Sequence, residues 1–188
     1  MKIVLASGSP RRKEILNKFG YKFTVEKSGF TECGGESDPI SVAIKNAKGK
    51  ASDVFMRLKD KNESDFAVIG ADTIVYLNGV ILGKPKDRLD AVNTLKNLSG
   101  NEHKVITGFC VLGKNLCVVG VDESTVKFND LSEDLINEYI DKCKPFDKAG
   151  SYGIQDGFPL TESVSGSVYN VIGLPIEKLK PILDLILL

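Results

Sequence analysis

Residues 7–13, with the sequence SGSPRRK, place two hydroxyls, a glycine and three cations where a helix is predicted to begin. Free backbone N–H groups and the positive end of the helix dipole favour an anion there. Arginine adds bidentate hydrogen bonds to phosphate oxygens. We therefore take Ser7, Ser9, Arg11 and Arg12 as candidate phosphate-binding residues. The alternative is an ordinary capped helix with a solvated basic turn.

Asp72 directly follows the apolar run at residues 66–71, so we expect it near the end of a buried strand. A carboxylate in that position can bind Mg²⁺, which prefers oxygen ligands. It can also accept a proton from an attacking water molecule. An Asx turn or a helix cap is the structural alternative for this residue.

Three more charged side chains are candidates for the same functional site as Asp72. Lys84 follows a predicted hairpin, Glu32 lies in a glycine-flanked loop, and Lys50 flanks the apolar stripe of a long helix. A lysine can neutralise a phosphate as a point charge. Taken singly, each has a plainer interpretation as a solvated loop residue or a lysine whose stem covers apolar surface.

The segment DKAGSYGIQ, at residues 147–155, brings glycines, Lys148 and Gln155 together. Glycine lets a backbone approach a ligand closely, and the amide of Gln155 offers a donor and an acceptor to a base edge. A turn-rich connection is the alternative. Taken together, these features suggest a triphosphate substrate. They comprise an anion-binding turn, carboxylates for a metal, lysines for phosphate and an amide for a base.

The overall composition narrows the classes of protein. The 188 residues carry 25 Lys and Arg against 25 Asp and Glu, and the pI is about 6.6. This balance disfavours a basic nucleic-acid-binding module. No apolar stretch is long enough for a membrane span. The four cysteines form no CxxC pair, which favours reduced structural thiols and a cytoplasmic protein.

Two side-chain environments are also predicted from the sequence. His103, the single histidine, lies in a polar segment before a strand and is expected to be a solvated turn residue. Cys110 and Cys117 lie in apolar runs and are expected to be buried.

The elements that must position these residues alternate between strands and helices. Strands are predicted at 2–6, 21–26, 66–71, 74–76, 80–82, 104–112, 115–120 and 123–128. Helices are predicted from Ser9, from Asp38, over 87–98, from Ser132 and from Pro175, with Pro181 kinking or splitting the last. Asn78-Gly79 is a strong hairpin signal. The expected fold is a single α/β domain over residues 1–188, with a mixed, elongated β-sheet flanked by helices and two lobes around a central cleft.

The motifs, in order along the chain, resemble those of the Maf family of nucleotide pyrophosphatases. The matching segments are SGSPRRKEIL at 7–16, AKGKA at 47–51, GADT at 70–73, GKP at 83–85, LSG at 98–100, TG at 107–108, DKAGSYGIQ at 147–155 and NVIGLP at 170–175. They span nearly the whole chain.

The resemblance implies hydrolysis of the α–β phosphoanhydride of a nucleoside triphosphate to the monophosphate and pyrophosphate. It also implies a divalent metal, Mg²⁺ or Mn²⁺, held by Glu32 and Asp72, with Asp72 as the base that activates water. Lys50 and Lys84 would bind phosphate charge, and Ser7, Ser9, Arg11, Arg12 and Lys148 would line the substrate site. A homodimer is suggested as well.

Three positions bear on the preferred base, since Arg12, Thr73 and Gln155 look like the dTTP/UTP branch of the family. A role in arresting septum formation is associated with the family, so a non-catalytic nucleotide-binding regulator of cell division is the alternative function. The chain departs from the family after Gln155, where Asp156 stands in place of the usual glycine, and again over 160–165.

Overall fold

The computed structural model describes residues 1–33, 38–61 and 63–188. The loop predicted over 29–37 therefore lies partly outside the described residues. The strands are β1 Lys2–Leu5, β2 Phe23–Val25, β3 Phe66–Leu77, β4 Val80–Leu82, β5 Glu102–Gly113, β6 Leu116–Phe128 and β7 Thr161–Ser165. The helices are α1 Pro10–Lys18, α2 Pro39–Asp60, α3 Arg88–Leu98, α4 Glu133–Cys143, α5 Val168–Ile172 and α6 Ile176–Leu187. Short 3₁₀ turns occupy Pro145–Asp147, Ala149–Ser151 and Ile154–Asp156.

The described strands form one mixed sheet in the order β2-β1-β3-β5-β6-β7, with β4 paired to β3. The β1 strand is parallel to β2 and β3, whereas the long strand β5 pairs antiparallel with β3 on one side and with β6 on the other. Helices cover the sheet, so the predicted mixed α/β class is confirmed. Two predicted breaks are absent from the described strands, because β3 runs unbroken through Asp72 and Thr73 and β6 runs through Val121 and Asp122.

Alternating side chains of the central strands reach the two faces of the sheet. On one face, Val4, Val68 and Cys110 pack against the apolar stripe of α2. On the other, Ile3, Ile69 and Phe109 form a core with α1 and α6. Further along that second face, a separate core lies beneath α3 and α4. The second face therefore carries two apolar cores, one at each end of β3 and β5.

Pro181 lies within α6, which continues from Ile176 to Leu187. The predicted split of this helix is therefore wrong. Proline removes one backbone hydrogen bond and crowds the preceding turn, but Ile176, Leu179 and Leu183 are fully buried against the sheet. Burial of each such side chain contributes about 1.5–3 kcal/mol, which outweighs that loss.

The four cysteines are free thiols, as the sequence predicts. Cys110 is buried, and burial raises the pKa of its thiol to about 12. Cys117 is exposed, so its predicted burial is wrong. It lies in the first half of β6, and β7 pairs with this strand only from Thr125 onward.

His103 is 2% exposed, so the prediction of a solvated turn residue is wrong. Strand β5 begins at Glu102, and this start turns the imidazole inward against Phe128 and Tyr152. Its Nε2 shares a hydrogen bond of 2.7 Å with the Tyr152 hydroxyl. Burial lowers the pKa of His103 from 6.5 to about 4.

This shift makes folding stability depend on pH. In the unfolded chain His103 binds a proton below about pH 6.5, whereas in the folded chain it binds a proton only below about pH 4. The free energy of unfolding is therefore unaffected by His103 above pH 6.5, and it decreases as the pH falls from 6.5 toward 4. We expect His103 to account for about 2 kcal/mol of lost stability between pH 7.5 and pH 5. Urea unfolding of wild type and His103→Gln at both pH values checks this. Equal losses in the two proteins would contradict it.

Helix α2 lies so close to the sheet that β3 and β5 carry glycine beneath it. A Cβ at Gly70 would overlap the Ala47 carbonyl oxygen and approach the Ala51 nitrogen to 2.8 Å, and one at Gly108 would meet the backbone of Ala43. These glycines let α2 pack directly on β5 and on β3, the strand that carries Asp72.

We expect Gly70→Ala to destabilise the fold by about 1–3 kcal/mol, because neither the strand nor the helix backbone can move freely. Gly29→Ala is the matched control, since a Cβ there meets no described atom within 4 Å. Chemical denaturation of both variants checks the prediction. A loss at Gly70 no larger than that at Gly29 would show that α2 is not packed this closely.

Candidate functional site

The candidate site is a cleft of about 1230 Å³ that borders the carboxyl end of β1 and the middle of β3. Strand β3 pairs with β1 only up to Ile69 and with β4 only from Val75. The intervening edge of β3 is thus open toward the cleft. Asp72 lies in this interval, in mid-strand, so its predicted place at a strand end is wrong. Because β1 ends before this position, the edge of β3 is accessible at Asp72, as it would be if β3 itself ended there.

Asp72 is 7% exposed and is held by two donors from α2. Lys50 Nζ lies 2.6 Å from Asp72 Oδ1, and Asn46 Nδ2 donates to Oδ2 at 2.9 Å. Asn46 and Lys50 are four residues apart, so they project from the same face of the helix. One donor on each oxygen fixes the plane of the carboxylate.

Glu32 forms an ion pair with the same lysine. Lys50 Nζ lies 2.6 Å from Glu32 Oε1, and Lys84 Nζ lies 4.0 Å from that oxygen. Burial alone raises the pKa of Glu32, but the hydrogen bond and charge of Lys50, with the charges of Lys84 and Arg12, bring it below its ordinary value. Glu32 is therefore ionised at neutral pH, with a cation between it and Asp72.

Asn46 is a residue that the sequence reasoning missed. It is 3% exposed, and besides Asp72 it binds the backbone of Cys33, accepting from the N–H at 2.7 Å and donating to the carbonyl at 3.2 Å. It thereby joins Asp72 to the residue that follows Glu32. Its position one turn before Lys50 on the same helix face is the signal that could have found it.

The two arginines in the basic turn at the start of α1 have different partners. Arg11 forms an ion pair of 2.8 Å with Asp147, in the segment that also carries Lys148 and Gln155. Ser7 Oγ accepts from the Ser9 N–H at 3.2 Å and from Arg12 at 3.0 Å. Ser9 occupies the N-cap position, although its side chain makes no capping hydrogen bond within the described residues.

Arg12 spans the polar gap between the two apolar cores of the second face. Its guanidinium donates to Ser7 Oγ, to Thr73 Oγ1 at 3.2 Å and to the Gly173 carbonyl at 2.8 Å. Thr73 Oγ1 in turn lies 3.0 Å from Thr107 Oγ1. Desolvation lowers the pKa of Arg12, while the charge of Asp72 opposes the shift. Arg12 and Thr73 therefore meet, on the face of β3 opposite to Asp72.

Lys148 and Gln155 line the same cleft. Lys148 Nζ is 3.0 Å from Asp147 and 3.9 Å from Asp156, and Gln155 Nε2 donates to Asp156 Oδ1 at 3.0 Å. The structure thus brings every candidate residue to one cleft, as two groups. Glu32, Lys50, Asp72 and Lys84 form the acidic and lysine-rich group, and the other group comprises the residues of the basic turn and of the 147–155 segment together with Thr73 of β3.

The charges around the cleft favour an anionic ligand. Among the described residues that line it, six are cationic and three are anionic. The cationic side chains are Arg11, Arg12, Lys27, Lys50, Lys84 and Lys148. Convergent cations of this kind raise the local concentration of a polyphosphate and stabilise its bound form. An apolar part, which includes Val75, Leu82 and Tyr152, adjoins the charged part and suits a flat base.

The donor set at Glu32 and Asp72 fits a hard divalent cation. Both are carboxylates, and a single ammonium group already bridges them. Mg²⁺ is commonly bound by one or two carboxylates together with substrate phosphates and water. Within residues 1–33, 38–61 and 63–188, no group of three or more His, Cys, Asp or Glu side chains is arranged to hold a metal ion.

Comparison with known proteins identifies the family of this chain. The family described as Maf-like protein matches residues 2–186. The chain belongs to that family. Among Maf-like relatives, the dTTP/UTP pyrophosphatase of Pyrococcus furiosus is 46% identical over 186 residues, which are 98% of this chain and 95% of that protein. The dTTP/UTP pyrophosphatase of Aquifex aeolicus is 44% identical over 184 residues, which are 97% of this chain and 94% of that protein.

No helix in the described part of this Maf-like chain has the length and apolar character needed to cross a membrane.

Proposed function

We propose that this protein hydrolyses the α–β phosphoanhydride of nucleoside triphosphates, preferentially dTTP and UTP, to the monophosphate and pyrophosphate. The observation that carries the proposal is the fixed Asp72 carboxylate, bound by Lys50 and Asn46 beside a cationic cleft. The chain belongs to the Maf-like family, and relatives that align with nearly all of it are named dTTP/UTP pyrophosphatase. These names favour an enzyme over a non-catalytic regulator of cell division.

In this mechanism a water molecule attacks the α-phosphorus of the bound triphosphate. Asp72 accepts the proton of that water, and the bond from the α-phosphorus to the α–β bridging oxygen breaks as pyrophosphate leaves. Lys50 and Lys84 offset the charge that develops on the phosphates, which is the main task in phosphoryl transfer. Ser7, Ser9, Arg11, Arg12 and Lys148 bind and orient the substrate. Thr73 and Gln155 contribute to recognition of the base.

Glu32 and Asp72 would hold the divalent cation, Mg²⁺ or Mn²⁺. When bound, the cation would act as a Lewis acid that neutralises phosphate charge. Lys50 also holds the two carboxylates together, since its ammonium group lies 2.6 Å from an oxygen of each. A single domain over 1–188, a homodimer and a cytoplasmic location stay predictions from the sequence.

The products of UTP test the bond that is broken. We expect ³¹P NMR to detect UMP and pyrophosphate in equal amounts, with no UDP, in the presence of Mg²⁺. A chelator should abolish the reaction, because two carboxylates and lysines alone leave the phosphate charge poorly offset. UDP with inorganic phosphate would show cleavage at the β–γ bond and would contradict the proposal. Tight UTP binding without any product would instead favour the regulator.

A further inference from the structure

Asn46 lies in α2, one turn before Lys50, and borders the cleft although it is only 3% exposed. We propose that Asn46 is a positioning residue, which holds Asp72 and the chain at Glu32 in a fixed arrangement and thereby supports metal affinity and turnover. The inference rests on the proposed function, because it requires Glu32 and Asp72 to act together in the cleft.

The orientation of the Asn46 amide is decided by the backbone of Cys33. The Cys33 N–H donates to Asn46 Oδ1 at 2.7 Å, and only the oxygen of an amide can accept this hydrogen bond. Asn46 Nδ2 then donates to the Cys33 carbonyl at 3.2 Å and to Asp72 Oδ2 at 2.9 Å. Both hydrogens of the amide are thus used within the protein, so Asn46 acts on the site through its neighbours and not by binding substrate.

Asn46 and Lys50 join the two carboxylates by different routes. Lys50 contacts the side chains themselves, since its Nζ lies 2.6 Å from an oxygen of Glu32 and of Asp72. Asn46 instead binds the main chain directly after Glu32, and so fixes the point from which that side chain extends. Its amide has no net charge, so a bound phosphate attracts it far less than it attracts the ammonium group of Lys50. The link through Asn46 therefore persists when substrate charge acts on Lys50.

Close packing of α2 on the sheet allows a short side chain to make this link. Asp72 lies two residues after Gly70, on the same face of β3, and pairs with Gly108 of β5. These are the two glycines on which the backbone of α2 packs. Because the helix lies so near the sheet around Asp72, the single methylene group of Asn46 is long enough for its amide to reach the carboxylate.

The first test measures kcat and KM for UTP in the full chain carrying Asn46→Leu. Leucine keeps nearly the same volume but makes no hydrogen bond to Cys33 or Asp72. We expect kcat to fall by roughly 10- to 100-fold, the usual cost of losing a group that positions a metal-binding side chain. KM should change by less than about threefold, because the cations of the cleft remain. Asn46→Ala should give the same pattern, and serves if Asn46→Leu folds poorly.

Val54→Ala is the matched control for a loss of stability without a loss of positioning. Val54 is a fully buried residue of the same helix, and it does not line the cleft among the described residues. Its truncation leaves a cavity in the core beneath α2 and lowers the midpoint of urea unfolding. At a temperature where the variant stays folded, its kcat should match that of wild type. Equal losses of kcat in Asn46→Leu and Val54→Ala would show that Asn46 acts only through stability, and would overturn the proposal.

Binding of Mn²⁺ alone tests the same arrangement without turnover. The Kd for Mn²⁺, measured on the full chain by EPR of the free ion, should rise at least about fivefold in Asn46→Leu. In the Glu32→Gln background the same substitution should have a smaller effect, because one of the two carboxylates that Asn46 aligns is gone. Unchanged Mn²⁺ affinity in Asn46→Leu, or an equal fold loss in both backgrounds, would overturn the proposal. If wild type yields no pyrophosphate from UTP, the proposed function fails, and the Kd values for Mn²⁺ still decide whether Asn46 aligns the carboxylates.

Discussion

Asp72→Asn is expected to lower kcat by at least 100-fold while nucleotide binding survives. Asparagine keeps the shape of the side chain but cannot take up the proton of the attacking water. General base catalysis typically contributes 10²–10⁴-fold, which corresponds to about 3–5 kcal/mol of transition-state stabilisation. Initial rates of pyrophosphate release from UTP give kcat, and titration with α,β-methylene-UTP gives Kd. We expect Kd to change by less than about tenfold, since several cations of the cleft remain.

Asp122→Asn is the matched control for this variant. Asp122 is also a strand carboxylate paired with a lysine, at 2.7 Å from Lys178, and its side chain is 14% exposed against 11% for Asp72. It does not line the cleft among the described residues. Its variant should therefore keep its turnover. Near-normal kcat in Asp72→Asn would show that another group takes the proton.

Lys50→Met is expected to reduce both stability and turnover. The ammonium group lies 2.6 Å from oxygens of both Asp72 and Glu32, and its loss leaves two carboxylates facing each other. Loss of one partner from a fully buried ion pair costs about 3–5 kcal/mol. Because the side chain of Glu32 is 46% exposed, water screens part of the repulsion, and we expect roughly 2 kcal/mol here. Turnover should fall at least tenfold, since a phosphate-binding charge is also lost.

Urea unfolding and pyrophosphate release measure the two effects, with Lys48→Met as the control. Lys48 is an exposed residue of the same helix, so its variant should resemble wild type in both assays. Mg²⁺ should stabilise Lys50→Met more than wild type, because its charge would offset the repulsion between the two carboxylates once the ammonium group is gone. Equal stability of the two methionine variants in the absence of metal would contradict the bridging role.

The fold class and most elements could be predicted because the local signals were strong. The Asp38-Pro39 start of α2, the Asn78-Gly79 hairpin and the apolar run that opens β3 each specify local geometry without distant partners. The solvated turn expected at His103 and the split expected at Pro181 were wrong because both environments depend on distant contacts. The imidazole is buried by Phe128 and Tyr152, and α6 is held by the core beneath it.

The candidate site, too, was predictable only where local sequence was sufficient. Residue types and order along the chain were enough to select Glu32, Lys50 and Asp72. The sequence could not show that Arg12 and Thr73 meet on the opposite face of β3, since that depends on Arg12 reaching Gly173 across the fold. Asn46 escaped notice because a buried asparagine has no distinctive pattern until its partners are known.

The most direct test of the central claim is a pyrophosphate-release panel with six nucleotides. It compares dTTP, UTP, CTP, 7-methyl-GTP, ATP and GTP, each with Mg²⁺, with Mn²⁺ and with a chelator. We expect metal-dependent release of pyrophosphate and monophosphate from dTTP and UTP, with the other four far slower. Preference for 7-methyl-GTP would overturn the assignment of the base site at Arg12, Thr73 and Gln155. No pyrophosphate from any nucleotide, in folded protein that still binds UTP, would contradict the proposed enzyme.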